Sequence, residues 1–196
     1  PKKHYGMAHY LMKHVWPAIG DVVVKGREAM DWLTDSAKYV VKKGGAENGD
    51  ITWLTPSGFL ASQAYYEVDE HIVHTKLFGH KRIKVLSELD APHPGRHGQG
   101  MAPNFVHSMD ASHLHRTTER LAQEVPGVCL AMIHDDFGCH AADTPTLYWV
   151  LRDEFVNMYE QHDPLDQFKL KYALTEPPSK GTLDLSCVRE SEYVFS

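Results

Sequence analysis

Between residues 7 and 41 apolar side chains return at helical spacing: Met12, Val15, Trp16, Ile19, Val22 and Val23, then Ala29, Met30, Leu33, Ala37, Val40 and Val41. Residues three and four apart share one face of a helix, so this spacing predicts one or two long helices. Pro17, which lacks an amide hydrogen, is placed as a break and Gly44-Gly45 as the stop. Residues 51–54 and 59–66 read as short strands around Thr55-Pro56-Ser57-Gly58, a segment with turn chemistry, and predict a hairpin. Residues 71–78 and 82–86 read as a second hairpin turning at Gly79-His80-Lys81, with basic and histidine side chains alternating along both arms. Arms of that kind can reach into a groove.

Residues 90–100 are rich in helix and strand breakers and are expected to form a mobile connector over the surface. A helix is expected from Pro103 to about Gln123, with Phe105, Met109, Leu114 and Leu121 as core positions and Pro126-Gly127 as its end. The continuous apolar run 128–133 suits a central buried strand. Residues 137–141 return beside it, which leaves His134-Asp135-Asp136 at a hairpin tip. Thr144-Pro145 reads as an N-cap and first turn, followed by an apolar stripe of Leu147, Val150, Leu151, Phe155, Met158 and Tyr159. A second helix over 164–174 and a mostly irregular tail over 177–196 complete the pattern, with no internal repeat. The fold class is α+β, mainly helical with β-hairpins.

A chain of 196 residues, 42% hydrophobic and 23% charged, can bury a real core. Its net charge of −6 lacks the overall basicity expected if phosphate neutralisation were the main task of the whole chain. Cys129, Cys139 and Cys187 form no CxxC pair and leave one over, which fits a reduced compartment, and a cytoplasmic setting is expected. No targeting segment or membrane-spanning run is visible, and the start at Pro1 reads as if cut from something longer. A histidine-rich metal protein is one alternative raised by the 14 His, but His71, His74, His80, His93 and His97 match no zinc spacing.

The segment His134-Asp135-Asp136 admits two readings on pattern alone. Polar residues commonly end a buried strand at the solvent, which makes an ordinary turn. Equally, carboxylates on a tight turn at the end of a rigid strand are placed to hold Mg²⁺, which takes oxygen ligands and keeps waters for substrate phosphates. Two-metal phosphoryl transfer needs a further carboxylate from elsewhere, so Asp135 would not suffice alone.

The segment Ile133-His-Asp-Asp-Phe-Gly138 resembles the C motif of phage-type and mitochondrial single-subunit DNA-directed RNA polymerases. Ala102-Pro-Asn-Phe-Val-His-Ser-Met-Asp-Ala-Ser-His-Leu114 resembles the same family's palm segment nearly residue for residue, at a similar distance before the hairpin. Residues 6–33, Trp53-Leu-Thr-Pro-Ser-Gly-Phe59 and the tail 180–196 are similar to further segments of the family, so the resemblance covers the whole chain. It implies the C-terminal palm and fingers portion of a right-hand-shaped polymerase. Residues 1–50 would be fingers-side helices, 51–100 a strand pair, specificity hairpin and connector, 101–176 the palm with the C-motif hairpin, and 177–196 the C-terminal tail.

By the same resemblance Asp135 would coordinate catalytic Mg²⁺, with His134 beside it near the primer end and His107 near the hybrid and nucleotide site. Arg82, Lys84 and His74 would fall on DNA-reading positions of the hairpin, where Arg can take guanine edges in bidentate fashion. His113 and His115 are left as surface histidines. Phe195-Ser196 would pack under the active site. The implied partners are a DNA template and promoter, RNA, NTPs and the remainder of the polymerase chain, in a phage or prophage setting and with no membrane. Asp136 departs from the small residue common at that place in phage enzymes. The family's A-motif aspartate and the Lys, Arg and Tyr of its B motif have no counterpart here, so the chain alone is expected not to polymerise nucleotides. A non-catalytic DNA-binding remnant and a family A DNA polymerase palm stand as alternatives; the latter family places Glu after the Asp.

Overall fold

The computed structural model describes residues 2–46, 48–76 and 79–193. Its first helices are α1 (Lys2–Val22) and α2 (Val24–Lys42). The chain bends at Val23, with φ −105° and ψ 58°, and not at Pro17, which sits inside α1. Three successive β-branched residues, Val22, Val23 and Val24, have stiff side chains that crowd a helical turn. The Val23 amide still reaches the Ile19 carbonyl at 2.8 Å, so the feature is a kink. α2 buries Leu33, Ala37, Val40 and Val41 on one stripe. As the sequence predicts, it stops at glycine: Gly44 takes φ 68°, and the Gly45 amide closes back on the Val40 carbonyl at 3.0 Å.

Three separate antiparallel pairs follow in chain order. β1 (Ile51–Leu54) pairs with β2 (Leu60–Gln63), as expected. β3 (Tyr66–Thr75) pairs with β4 (Lys81–Pro92), a longer hairpin than the sequence predicts, because its arms also pair below residue 71 and beyond residue 86. Residues 90–100 are not a mobile connector. Residues 90–92 end β4, and Pro94 opens α3 (Pro94–Glu124). The His93 ring caps that helix by accepting from the Gly95 and Arg96 amides at 3.2 and 3.3 Å. The glycines that read as breakers serve close approach instead. A Cβ at Gly98 would lie 3.2 Å from the Thr34 carbonyl of α2, and one at Gly100 would strike the Tyr65 ring. Pro103 therefore lies inside a 31-residue helix.

β5 (Leu130–Ile133) and β6 (Asp136–Cys139) form the last hairpin, with Ile133 opposite Asp136, so the loop is His134-Asp135. α4 (Thr144–Gln161), α5 (Pro164–Tyr172) and the short α6 (Cys187–Glu190) complete the α+β fold. The N-cap of α4 is Asp143 and not Thr144, whose hydroxyl bonds back to the His140 carbonyl at 3.4 Å.

Two cores hold these elements. The first joins Leu33, Ala37 and Val40 of α2 to Ile51 and Trp53 of β1, Met101, Phe105 and Met109 of α3, and Phe168 of α5. Phe168 meets Trp32 and Phe105 edge to face, with centroids 6.2 and 5.9 Å apart. The second joins Leu121 of α3 to Leu147, Val150 and Leu151 of α4, with Val128, Leu130, Phe137 and Cys139 packed against it. Arg116 and Arg120 of α3 clasp Glu154 and Asp153 of α4, and Arg189 of α6 reaches the same Asp153 at 2.7 Å. Partly exposed pairs of this kind contribute about 1 kcal/mol or less each, so they fix the register of helices that the apolar core already joins.

Two buried histidines, His97 and His113, have pKa values pushed below 6.5 by burial. Both are therefore neutral in the fold, whereas the unfolded chain takes up their protons near the ordinary value. Their contribution to stability is full above pH 6.5 and falls as the pH drops below it toward the folded pKa values. Urea midpoints measured at successively lower pH should decline in that window, and His113→Gln should flatten the decline. In the β5–β6 loop His134 holds φ 56°, a left-handed conformation that costs a side-chain-bearing residue roughly 1 kcal/mol or more. His134→Gly should leave the thermal midpoint unchanged or raise it, and the β-branched His134→Val should lower it.

Candidate active site

The β5–β6 hairpin is half-covered and is not the central buried strand that its apolar run predicts. Leu130 and Met132 are partly buried while Ile133 is 68% exposed. Only one face of this two-stranded sheet meets helices, and Phe137, opposite Met132, is the side chain that locks it there. Phe137 sets its ring against His113, with centroids 5.5 Å apart. His113 is itself buried, donating through Nε2 to the Leu151 carbonyl at 2.8 Å and meeting Phe155 on another side. Burial keeps the ring neutral, so it presents one N–H to the carbonyl and an apolar edge to the phenylalanines. The surface reading of His113 is thus corrected. The signal was available, because Phe105, Met109, His113, Thr117 and Leu121 recur every four residues on the buried stripe of α3.

A second stripe of the same helix faces the hairpin tip. His107, Asp110, Ala111, Leu114 and His115 line one side of a cleft of about 690 Å³, and His134 and Asp135 line the other. The fold therefore brings together His107, His134 and Asp135, the three site residues expected from the sequence in this region. It adds Asp110 and His115, which the sequence reading did not single out although their spacing places them on the face of His107. The His115 Nδ1 lies 3.4 Å from the Ser57 hydroxyl, which ties this side of the helix to the β1–β2 turn. Leu114, expected in the core, borders this cleft instead.

Asp135 also borders a neighbouring cleft of about 400 Å³. There Asp136 and Phe137 face Tyr148 and Arg152 of α4 and Glu192 and Tyr193 of the tail. Asp110 and Asp135 bring carboxylate oxygens, the ligands a hard cation takes, to the cleft between α3 and the hairpin tip, beside the imidazoles of His107, His115 and His134. Among the described residues, no group of three or more His, Cys, Asp or Glu side chains is gathered as a metal-donor set. Asp135 fits the cation as one oxygen ligand of a set that these residues do not complete. The expectation for Phe195-Ser196 lies outside the described residues.

The β3–β4 hairpin stands apart, with both faces of residues 69–74 and 81–90 exposed. Its base is tied down where the Tyr66 hydroxyl donates to Asp50 at 2.6 Å and the Tyr65 amide donates to the buried His97 ring at 3.3 Å. His74 stands opposite Arg82 and Ile72 opposite Lys84, so His74, Arg82 and Lys84 share one face. Glu70 shares that face too and pairs with Lys84 at 2.5 Å. The hairpin is polarised: Glu67, Asp69, Glu70, Glu88 and Asp90 mark its base, and His74, Lys81 and Arg82 its outer end. Among the described residues no helix is long and apolar enough to cross a membrane.

Residues 1–174 match the model of the DNA-dependent RNA polymerase family. The chain is 33% identical over its whole length to DNA-directed RNA polymerase 2, chloroplastic/mitochondrial, of Arabidopsis thaliana, and covers 19% of that protein. It is 34% identical to DNA-directed RNA polymerase 3, chloroplastic, of Nicotiana sylvestris, over 95% of this chain and 19% of the relative. With T7 RNA polymerase of Escherichia phage T7 it shares 32% identity over 96% of this chain and 24% of the relative. The chain thus spans about a fifth to a quarter of the length of these relatives. Plant organellar and phage proteins agree with it along nearly its entire length, and on that agreement the chain belongs to the DNA-dependent RNA polymerase family.

Proposed function

We propose that this chain is the C-terminal palm and fingers portion of a single-subunit RNA polymerase, working in template-directed nucleotidyl transfer from NTPs to an RNA 3′-hydroxyl. The observation that carries the reading is the meeting of the α3 face His107, Asp110 and His115 with the hairpin tip His134-Asp135 across one cleft. Residues 1–50 would form fingers-side helices, 101–176 the palm with its C-motif hairpin, and 71–86 the promoter-reading arm.

In this reading Asp135 holds Mg²⁺ together with an aspartate from outside the chain. Bound Mg²⁺ supplies Lewis-acid polarisation of the attacking hydroxyl and offsets charge on the nucleotide phosphates. The chain's own residues do the positioning. The neutral His113 and Phe137 clamp the hairpin onto α3 and α4 and set the height of Asp135 over the cleft. His134, on the strained loop position, projects beside it at the primer end, while His107 faces the hybrid from α3. The carboxylates of Asp110 and Asp135 in one cleft repel a triphosphate until their charge is offset, which couples nucleotide entry to cation occupancy.

On the β3–β4 arm, Arg82 and His74 are the base-reading side chains. Lys84 is a weaker contributor, since Glu70 already neutralises it. A partly exposed ion pair of this kind is worth about 1 kcal/mol or less, so it tunes binding without abolishing it.

In the polymerase that carries this chain, Asp135→Asn should lower primer extension by on the order of a hundredfold to a thousandfold, the scale on which preorganised electrostatic groups act, with DNA affinity nearly unchanged. Extension that stays near the unsubstituted rate would refute the metal assignment. The 196-residue chain unaided should give no extension. For the arm, Arg82→Ala should cost about 1–3 kcal/mol of discrimination between promoter and scrambled duplex, whereas Lys84→Ala should change both duplexes alike and by less. Fluorescence anisotropy across a salt series checks the difference.

A further inference from the structure

Arg152 of α4 is 5% exposed, and among the described residues it makes no ion pair. Its donors go to backbone carbonyls: Nε to Ser191 at 3.2 Å, Nη2 to Glu192 at 3.4 Å and Nη1 to Tyr148 at 3.1 Å. The guanidinium lies over the Tyr148 ring, 3.3 Å from its centroid, and the Tyr148 hydroxyl also donates to the Ser191 carbonyl at 3.4 Å. A reciprocal tie runs the other way, where Arg189 of α6 donates to Asp153 and Asn157 of α4 at 2.7 and 2.9 Å. Burying a guanidinium without a carboxylate partner is costly unless its donors are satisfied. Here the planar fork is satisfied by carbonyls that belong to the tail and to the preceding turn of its own helix.

The tail held in this way has a definite neighbour. Glu192 and Tyr193 line the cleft of about 400 Å³ whose other side is Asp135, Asp136 and Phe137, with Tyr148 and Arg152 between. A two-stranded hairpin is marginally stable by itself and depends on what covers it. One face of β5–β6 is covered by His113 and the second core, while the Asp135–Phe137 edge lines the cleft whose opposite wall is the tail.

We propose that Arg152 is a positioning residue for Asp135: it fixes the tail at Ser191–Glu192 as the far wall of this cleft and thereby restrains the hairpin tip. The proposal rests on the reading of Asp135 as the metal-holding carboxylate, and its test separates the two. Arg is required because one planar group serves three carbonyls at once; a Lys ammonium keeps the charge but lacks the fork.

Amide hydrogen exchange of the 196-residue chain reads the restraint directly. Arg152→Met should speed exchange roughly tenfold in residues 186–193 and, in step, in 133–138, with the first core around Phe168 unchanged. Arg152→Lys should recover part of the protection in both segments. If Arg152→Met unfolds the chain, the same two segments in Arg152→Lys decide. Faster exchange in the tail with an unchanged hairpin, or no change in either, overturns the proposal. In the polymerase that carries this chain, Arg152→Lys should lower kcat with little change in KM for NTP, and equal loss through KM alone would also overturn it. Asp135→Asn measured beside it keeps the issues apart: activity undiminished without that carboxylate sinks the metal reading, whereas the exchange coupling of tail to hairpin stands or falls by itself.

Discussion

Packing of α3 on two sides is the interaction from which the rest of the structure takes its dimensions. Its first half buries Met101, Phe105 and Met109 against α2 and α5, and its far end buries Leu121 against α4. At about 1.5 Å per residue, a helix of this length spans roughly 45 Å and joins both cores in one rigid rod. Each candidate site residue in the cleft is referred to that rod, either by lying on it, as His107 does, or by being clamped to it through His113 and Phe137, as Asp135 is. Close approach makes this possible, because α2 comes so near at Gly98 that a Cβ there would crowd the Thr34 carbonyl at 3.2 Å and push the Lys38 side chain aside.

Polar groups then decide details that the apolar cores leave open. The arginine clasp between α3 and α4 fixes their register. His97 and His113 do related work as neutral rings, one accepting from the amide at the base of the β3–β4 arm and the other donating to a carbonyl of α4. Their neutrality follows from burial, so acid weakens the anchoring of the arm and of the hairpin together. Arg152 extends the same logic to the tail.

In the proposed reading, function would be divided between a stationary cleft and a projecting arm. The net charge of −6 hides this, because the acidic base of the arm and the carboxylates elsewhere cancel the basic outer end that the pairing of His74 with Arg82 creates. Composition averages over the surface, whereas a nucleic acid meets one face at a time.

Local chemistry made much of this legible. The stop at Gly44, the β1–β2 turn, the return of the chain at His134-Asp135 and the apolar stripe of α4 follow from backbone preferences and spacing that act over a few residues. That His107, His134 and Asp135 share a neighbourhood was readable through the resemblance of the C-motif and palm segments, and the three do line one cleft. What residues 90–100 do was not legible, since glycine reads as a breaker until a neighbouring helix occupies the space that a side chain would need. Arg152 was missed for the same kind of reason, because an arginine on a helix has the same local signature whether it faces water or a tail carbonyl. His113 and Asp110 had a signal in their spacing on α3, but spacing gives the face and not what that face meets. Sequence alone therefore determined most of the elements, their order and the place of Asp135 at a hairpin tip, though not the start of α3 or the reach of the β3–β4 arm. Only the tertiary structure decided which faces of α3 and α4 turn inward and what they meet, because those contacts join residues far apart in the chain.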